Sequence, residues 1–168
     1  RGRRRRGPPP RLPNEWALGG AAGRPPRVVK SLHLKPEDLE THNRHLQAKF
    51  SAIAEREVRY AGEQLDDADL VVVAYGTAAR VARTAIARAR ADGLRAGLLR
   101  PISLWPFPAA AVGEAARRAR GILVVELSAG QMVEDVRLAV EGRVPVAFEG
   151  RTGGMVPPGA DAVVMIEH

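Results

Sequence analysis

The sequence predicts an α/β fold, a three-layer α/β/α sandwich around a mostly parallel sheet. Three observations carry that prediction. From Asp69 onward, short apolar runs alternate with longer segments of helical period, the sequence form of successive βα units. The short runs are continuous in Val, Leu and Ile instead of alternating apolar with polar, as strands covered on both faces require. The helical segments between them are rich in Ala and set Arg away from the apolar stripe.

Each element follows from local chemistry. Residues 1–13, RGRRRRGPPPRLP, join a like-charge block to a proline run with little to bury, so a disordered basic tail is expected there. It has no apolar stretch of the kind a secretory signal needs. Residues 14–34 form an irregular connector with Trp16 as its aromatic anchor, and residues 35–168 are the domain proper. Pro36 opens a helix whose first turns carry Glu37, Asp38 and Glu40, acids that suit the positive end of a helix dipole. Leu39, His42, Leu46, Phe50 and Ile53 recur at three-to-four spacing and take this helix to about Glu57.

The first strand is Leu70–Ala74. Tyr75 and Gly76 turn the chain, and Thr77 is placed to cap the next helix. Ala78, Val81, Ala82, Ala85, Ile86 and Ala89 make that helix's core stripe, Arg80, Arg83 and Arg90 face away, and Gly93 ends it. A second strand over Leu94–Leu99 enters a loop from Arg100 to Pro108, where Pro101, Pro106 and Pro108 forbid regular pairing. A helix from about Pro108 to Arg120 follows, then a third strand, Ile122–Leu127. After Ser128-Ala129-Gly130 a helix carries Met132, Val133, Val136, Ala139 and Val140 on one face. A fourth strand, Val144–Phe148, leads to the loop Glu149–Gly154, and a short helix is expected after Pro158.

Composition excludes several functions. No apolar run approaches the ~18 residues of a membrane span. Cys is absent, so this chain supplies no thiolate to an iron–sulfur cluster or zinc site, no disulfide and no thiol nucleophile. The net charge of +7 points to nucleic acid only if it is spread over a folded face. It is not: residues 1–30 hold nine basic residues and one acid, a net of +8, while the remaining 138 hold 17 and 18, a net of −1. Nucleic-acid binding is therefore left to the basic tail as a minor reading, with no membrane partner and a cytoplasmic location expected.

Candidate functional residues are few. The strand–Gly–Thr–helix junction at Gly76 and Thr77 is a candidate anion site, because a helix N-terminus presents free N–H groups, although it lacks the glycines of a dinucleotide fingerprint and the Gly-Lys-Ser/Thr of a P-loop. An ordinary capped turn is the competing reading. Glu126 stands at the carboxyl end of a strand, where ligands gather in open α/β sheets, and Gln131, Glu134 and Asp135 follow it. Helix capping and interface hydrogen bonding account for this group as simply as a small-molecule contact does. His33, His42, His45 and His168 lack HExxH spacing, and Ser103 and Ser128 lack a triad-like arrangement, so the expected catalytic and metal sets are empty.

Several segments together resemble a known family. LVVVAYGT at 70–77 and LLRPISLWPFP at 98–108 are similar to the opening strand and proline loop of the transketolase C-terminal domain. ELSAGQMVEDVR at 126–137, followed by GRTGG at 150–154, resembles the alpha subunit of 2-oxoacid:ferredoxin oxidoreductases, closest to the 2-oxoisovalerate type. WALGGAAGR at 16–24 and THNRHL at 41–46 are similar to that subunit too. The resemblance implies a transketolase C-terminal-like domain, a fragment or subunit part of an enzyme that uses thiamine diphosphate and magnesium to decarboxylate a 2-oxoacid. Electrons there pass through iron–sulfur clusters to ferredoxin, and an acyl-coenzyme A forms. It implies partner subunits or domains that carry all of this chemistry, with ferredoxin and coenzyme A reached through the complex, no cofactor bound by this chain alone, and no activity for it in isolation. Glu126, Gln131, Asp135 and Arg151 match motif positions where they can hydrogen-bond a neighbouring domain or merely brace loops. The alternative reading is a small anion- or nucleotide-binding, or regulatory, α/β module built on Gly76 and Thr77.

Overall fold

The computed structural model describes residues 20–28 and 31–155. The expected disordered tail, the anchor Trp16 and the terminal helix after Pro158 lie outside them. The chain divides into two compact units, residues 1–44 and 45–168, with the division inside helix α1 (Pro36–Arg56). In the first unit the described connector residues form no helix or strand before α1. The His33 ring stacks on that of His42 with centroids 4.7 Å apart.

The second unit holds a five-stranded sheet in the order β1-β3-β2-β4-β5, made of β1 (Tyr60–Glu63), β2 (Leu70–Ala74), β3 (Ala96–Pro101), β4 (Gly121–Glu126) and β5 (Val146–Gly150). Four strands run parallel and β1 pairs antiparallel with β3. Helices α2 (Gly76–Ala91), α3 (Ala109–Arg118) and α4 (Met132–Val140) complete it. Strand alternation sorts the core by face. Val72, Ala74, Leu98, Leu123 and Val125 pack with Ala78, Ala79, Ala82 and Ile86 of α2. Val71, Val73, Leu99, Ile122 and Val124 pack on the other face with Val112 and Ala116 of α3 and Met132, Val133, Val136 and Val140 of α4. One helix on one face and two on the other make the three-layer sandwich.

Three local expectations change. α2 begins at Gly76, which sits at φ +56°, so Thr77 falls inside the helix; its N-cap is Tyr75, with no side-chain hydrogen bond to the helix. The second strand begins at Ala96 and not at Leu94, because Leu94 belongs to the end of α2. Its N–H donates to the Ala89 carbonyl (2.9 Å) and that of Gly93 to the Arg90 carbonyl (3.1 Å), a Schellman closure that needs the left-handed φ of +92° at Gly93. Arg90 folds back instead of facing away. Its guanidinium donates to the carbonyls of Ala96 (2.7 Å) and Gln64 (3.0 Å) and to both Asp67 oxygens, tying α2 to the β1–β2 loop.

Strand β1 has no counterpart in the sequence prediction. YAGE is short, contains Gly and sits at the sheet edge, where strand propensity is weakest. It is joined to the proline loop by Ser103, whose Oγ accepts from the Arg59 N–H (2.9 Å) and donates to the Pro106 carbonyl (2.9 Å). Ser103→Ala is expected to cost about 1 kcal/mol, the usual net value of such bonds, measurable as a lower urea midpoint at unchanged m. The Trp105–Pro106 peptide bond in this loop is cis. The Trp105 ring meets Phe50 edge-on with centroids 5.6 Å apart.

Glu63 of β1 pairs with Arg83 of α2 through both carboxylate oxygens. The Arg83 hydrogen bond holds the Glu63 carboxyl below its ordinary value; burial opposes this, and the charges of Arg83 and Arg100 add to the lowering. A carboxyl lowered by folding stabilises above its unfolded pKa, and that stability is lost as acid carries the pH down through the folded value. Because the two side chains remain 38% and 50% exposed, water screens the pair to less than about 1 kcal/mol. Glu63→Gln is expected to flatten the acid limb of the stability profile below about pH 5 by that small amount, read from urea melts across pH.

The apolar stripe of α1 is only partly covered, with His42, Leu46 and Ile53 half-buried. No residue of this helix is buried, and Leu39 and Phe50 are each 41% exposed. Among the described residues no helix is long and apolar enough to cross a membrane.

Candidate functional site

The connections fix where the sheet opens. β2 leads into α2 on one face and the neighbouring β4 leads into α4 on the other, so their outgoing chains diverge; Ala74 lies opposite Val125 in the register. This reversal point at the carboxyl ends of parallel strands is where open α/β sheets take ligands. The Tyr75–Thr77 turn stands on one side of it and the Glu126–Gln131 loop on the other.

Glu126 organises the second of these. It is wholly buried, and among the described residues it is the one charged side chain in the core. Alternation along β4 turns it toward the α4 face, opposite to Val125, and its carboxylate lies at the N-terminus of α4. Oε1 accepts from the N–H of Val133 (2.9 Å), Oε2 from that of Met132 (3.1 Å), and both are within 3.2–3.3 Å of the Gln131 N–H. The Ser128 hydroxyl donates to Oε2 (3.1 Å) and accepts from the Gly130 N–H (3.1 Å). The carboxylate thus meets amides that the first turn of a helix always leaves unpaired, at the positive end of its dipole. A side chain from the preceding strand performs this capping, while the residue at the N-cap itself, Gln131, makes no side-chain cap bond.

The same residue ties in β5. The Glu126 carbonyl accepts from the Arg151 N–H (3.1 Å), so the GRTGG segment is fastened to the β4–α4 loop through backbone. Gly150 is required by this closeness: a Cβ there would overlap the Ser128 carbonyl oxygen and the Phe148 ring. Gly130, at φ +107°, lies in the same contact, where an added Cβ would meet Val133 and Phe148 at 3.2–3.3 Å.

The structure therefore brings Glu126 and the backbone of Gln131 and Arg151 together, and separates the rest. The Arg151 guanidinium lies 3.9 Å from the Glu149 carboxylate. Asp135 is exposed and lines a groove of about 530 Å³ between α3 and α4, with Phe107, Glu114, Arg117, Leu138 and Arg143. Gly76 and Thr77 are exposed across the reversal point. Sequence reasoning did not single out Ser128 as a capping partner or Arg90 as a clamp. The Ser-x-Gly after a strand was a legible signal for the first; nothing in the sequence marked the second.

This chain supplies no thiolate to an iron–sulfur cluster. No group of three or more His, Asp or Glu among the described residues is gathered to hold a metal. Glu126, the acid best placed for chemistry, already accepts hydrogen bonds at both oxygens from its own helix and loop.

Comparison with known proteins gives one answer at three levels. Over 139 residues, 83% of this chain, it is 43% identical to the ketoisovalerate oxidoreductase subunit VorB of Methanothermobacter marburgensis and 45% identical to that of Methanothermobacter thermautotrophicus. It is 40% identical over 91 residues to the 2-oxoglutarate synthase subunit KorA of M. marburgensis. The chain spans 39% of the length of the VorB relatives. Its fold is that of part of a 2-oxoglutarate:ferredoxin oxidoreductase from Magnetococcus marinus, solved with 2-oxoglutarate, coenzyme A and succinyl-CoA bound (TM-score 0.68, 22% identity, 80% of this chain and 24% of that one). A split-gene transketolase, an inactive beta4 tetramer, matches less extensively (TM-score 0.56, 20% identity, 65% and 40%). Residues 68–161, which hold the sheet from β2 to β5 and helices α2 to α4, match the family described as pyruvate:ferredoxin oxidoreductase core domain II, and the chain belongs to that family.

Proposed function

We propose that this chain is a segment of a 2-oxoacid:ferredoxin oxidoreductase subunit of the ketoisovalerate type, working in the cytoplasm as a scaffold layer for partner subunits or domains. The observation that carries the reading is the 43–45% identity to VorB over 83% of the chain. The composition supports it, since a chain without Cys leaves clusters to partners. In this reading thiamine diphosphate, magnesium, ferredoxin and coenzyme A are engaged by the complex. Glu126, Gln131 and Arg151 brace the β4–α4 and β5 loops, and Asp135 faces a neighbour from the α3–α4 groove.

The test is complementation. VorB of M. marburgensis is truncated to remove the segment matched here and assembled with its companion subunits, and 2-oxoisovalerate-dependent reduction of a viologen dye is followed with thiamine diphosphate and coenzyme A. This chain added in trans is expected to restore turnover while showing none alone. Turnover by the isolated chain would place an active site within it and end the proposal.

A further inference from the structure

Large apolar side chains left open to water gather at one place in the second unit. They are Phe50 in the last turns of α1, Val58 just before β1, Tyr60 at its start, and Ile102, Leu104 and Trp105 of the proline loop, each between 37% and 61% exposed. All six lie within residues 45–168. Contacts join them into one surface. The Trp105 ring meets Phe50, and Tyr60 lies opposite Pro101 in the sheet. Between Val58 and Tyr60, the Arg59 carbonyl accepts from the N–H groups of Ile102 (2.9 Å) and Ser103 (3.0 Å). Contiguous apolar surface of this kind marks an interaction site, and Trp and Tyr are the side chains that most often dominate binding between proteins.

The surface is also preformed on one side and short of cover on the other. Ser103 is bonded to both Arg59 and Pro106, and Pro106 and Pro108 are buried, so the loop presents Leu104 and Trp105 with little left to order on binding. Helices take most of their stability from packing an apolar face, yet no residue of α1 is buried.

The extent of the likeness to VorB says what the cover is. The family domain begins at residue 68, but a match of 139 residues in a chain of 168 must take in α1, β1 and the proline loop as well. Every element of this surface therefore lies within the likeness to VorB, and the larger part of each VorB lies outside the 39% matched here. We propose that the ridge formed by Phe50, Tyr60, Leu104 and Trp105 is the seat of that remaining part of a VorB-type subunit, an apolar protein face that closes over α1 and the proline loop. The inference rests on the oxidoreductase reading for the identity of the partner, and on the exposed ridge for where it docks.

The experiment uses the full chain. Because it has no Cys, a single dye is placed through Asp92→Cys, in the turn after α2 and at the other end of β3 from the loop. The labelled chain is titrated with M. marburgensis VorB that lacks the matched segment and is assembled with its companion subunits, and fluorescence anisotropy is read. Saturable binding is expected, weakened about 30-fold or more by Trp105→Ala and by Ile102→Glu. Ala87→Glu, which sets the same charge on the exposed face of α2, is expected to bind like the parent. If both ridge variants also bind like the parent, the docking proposal is overturned while the oxidoreductase reading stands. If the parent chain does not bind at all, both fall. Sedimentation velocity of the chain alone is expected to show a monomer; self-association that Trp105→Ala removes would give the ridge to a second copy and overturn the proposal. Circular dichroism checks each variant, and Ile102→Glu decides if loss of the Phe50 contact unfolds Trp105→Ala.

Discussion

Replacing Glu126 by Ala is expected to lower the stability of the chain by about 3 kcal/mol, combining a lost helix cap with buried amides left unpaired. The carboxylate serves Gln131, Met132, Val133 and Ser128 at once, and the Met132 and Val133 positions are closed to bulk water. Glu126→Gln separates charge from shape. It keeps one carbonyl acceptor but turns an NH2 group toward N–H donors, so a smaller cost of about 1.5 kcal/mol is expected. Urea unfolding of the two variants at constant m tests the order. Equal midpoints for Glu126→Ala and the parent chain would show that the amides of α4 find other acceptors.

Gly150→Ala is expected to be comparably damaging, at about 2–3 kcal/mol, for an opposite reason: atoms are added where none fit. The new Cβ would meet the Ser128 carbonyl and the Phe148 ring together, and a backbone oxygen cannot rotate away as a long side chain can. Relief requires β5 to move from β4 or the Ser128 loop to open, and either shift breaks the Arg151 N–H to Glu126 carbonyl bond. Hydrogen exchange should therefore show the Arg151 amide losing protection before the amides of β2 and β3. Uniform loss across the sheet would mean that the strain is not local.

The α/β architecture was legible because the pattern of a doubly covered strand is strong. Leu70–Ala74 carries five apolar residues in succession, and its observed bounds are the same. The α2 stripe was readable for a similar reason, five of its six named positions being buried while Val81 is partly so. What escaped depended on partners distant in sequence. β1 exists because Tyr60–Glu63 finds the free edge of β3, a pairing that its own four residues do not announce. The stripe of α1 was correctly periodic, yet periodicity states only which face is apolar and not what covers it. At the site, the sequence marked Glu126 as a strand-end acid and left its capping of α4 as one reading among two. Whether the carboxylate turned to its own helix or to open space depended on the Ser128–Gly130 loop bringing the helix N-terminus under it.

The two cores flanking the sheet differ in grain. Opposite α2, half of the clustered side chains are Ala (Ala74, Ala78, Ala79, Ala82 and Ala96), whereas the side beneath α3 and α4 is built mainly from Val, Ile, Leu and Met. A seam in which half of the side chains are methyl groups leaves little room for larger ones, so its mutational tolerance is lopsided: enlargement is punished there, and truncation is punished on the opposite side. Descendants of this chain can therefore drift among branched aliphatics under α3 and α4 while the α2 seam stays close to alanine.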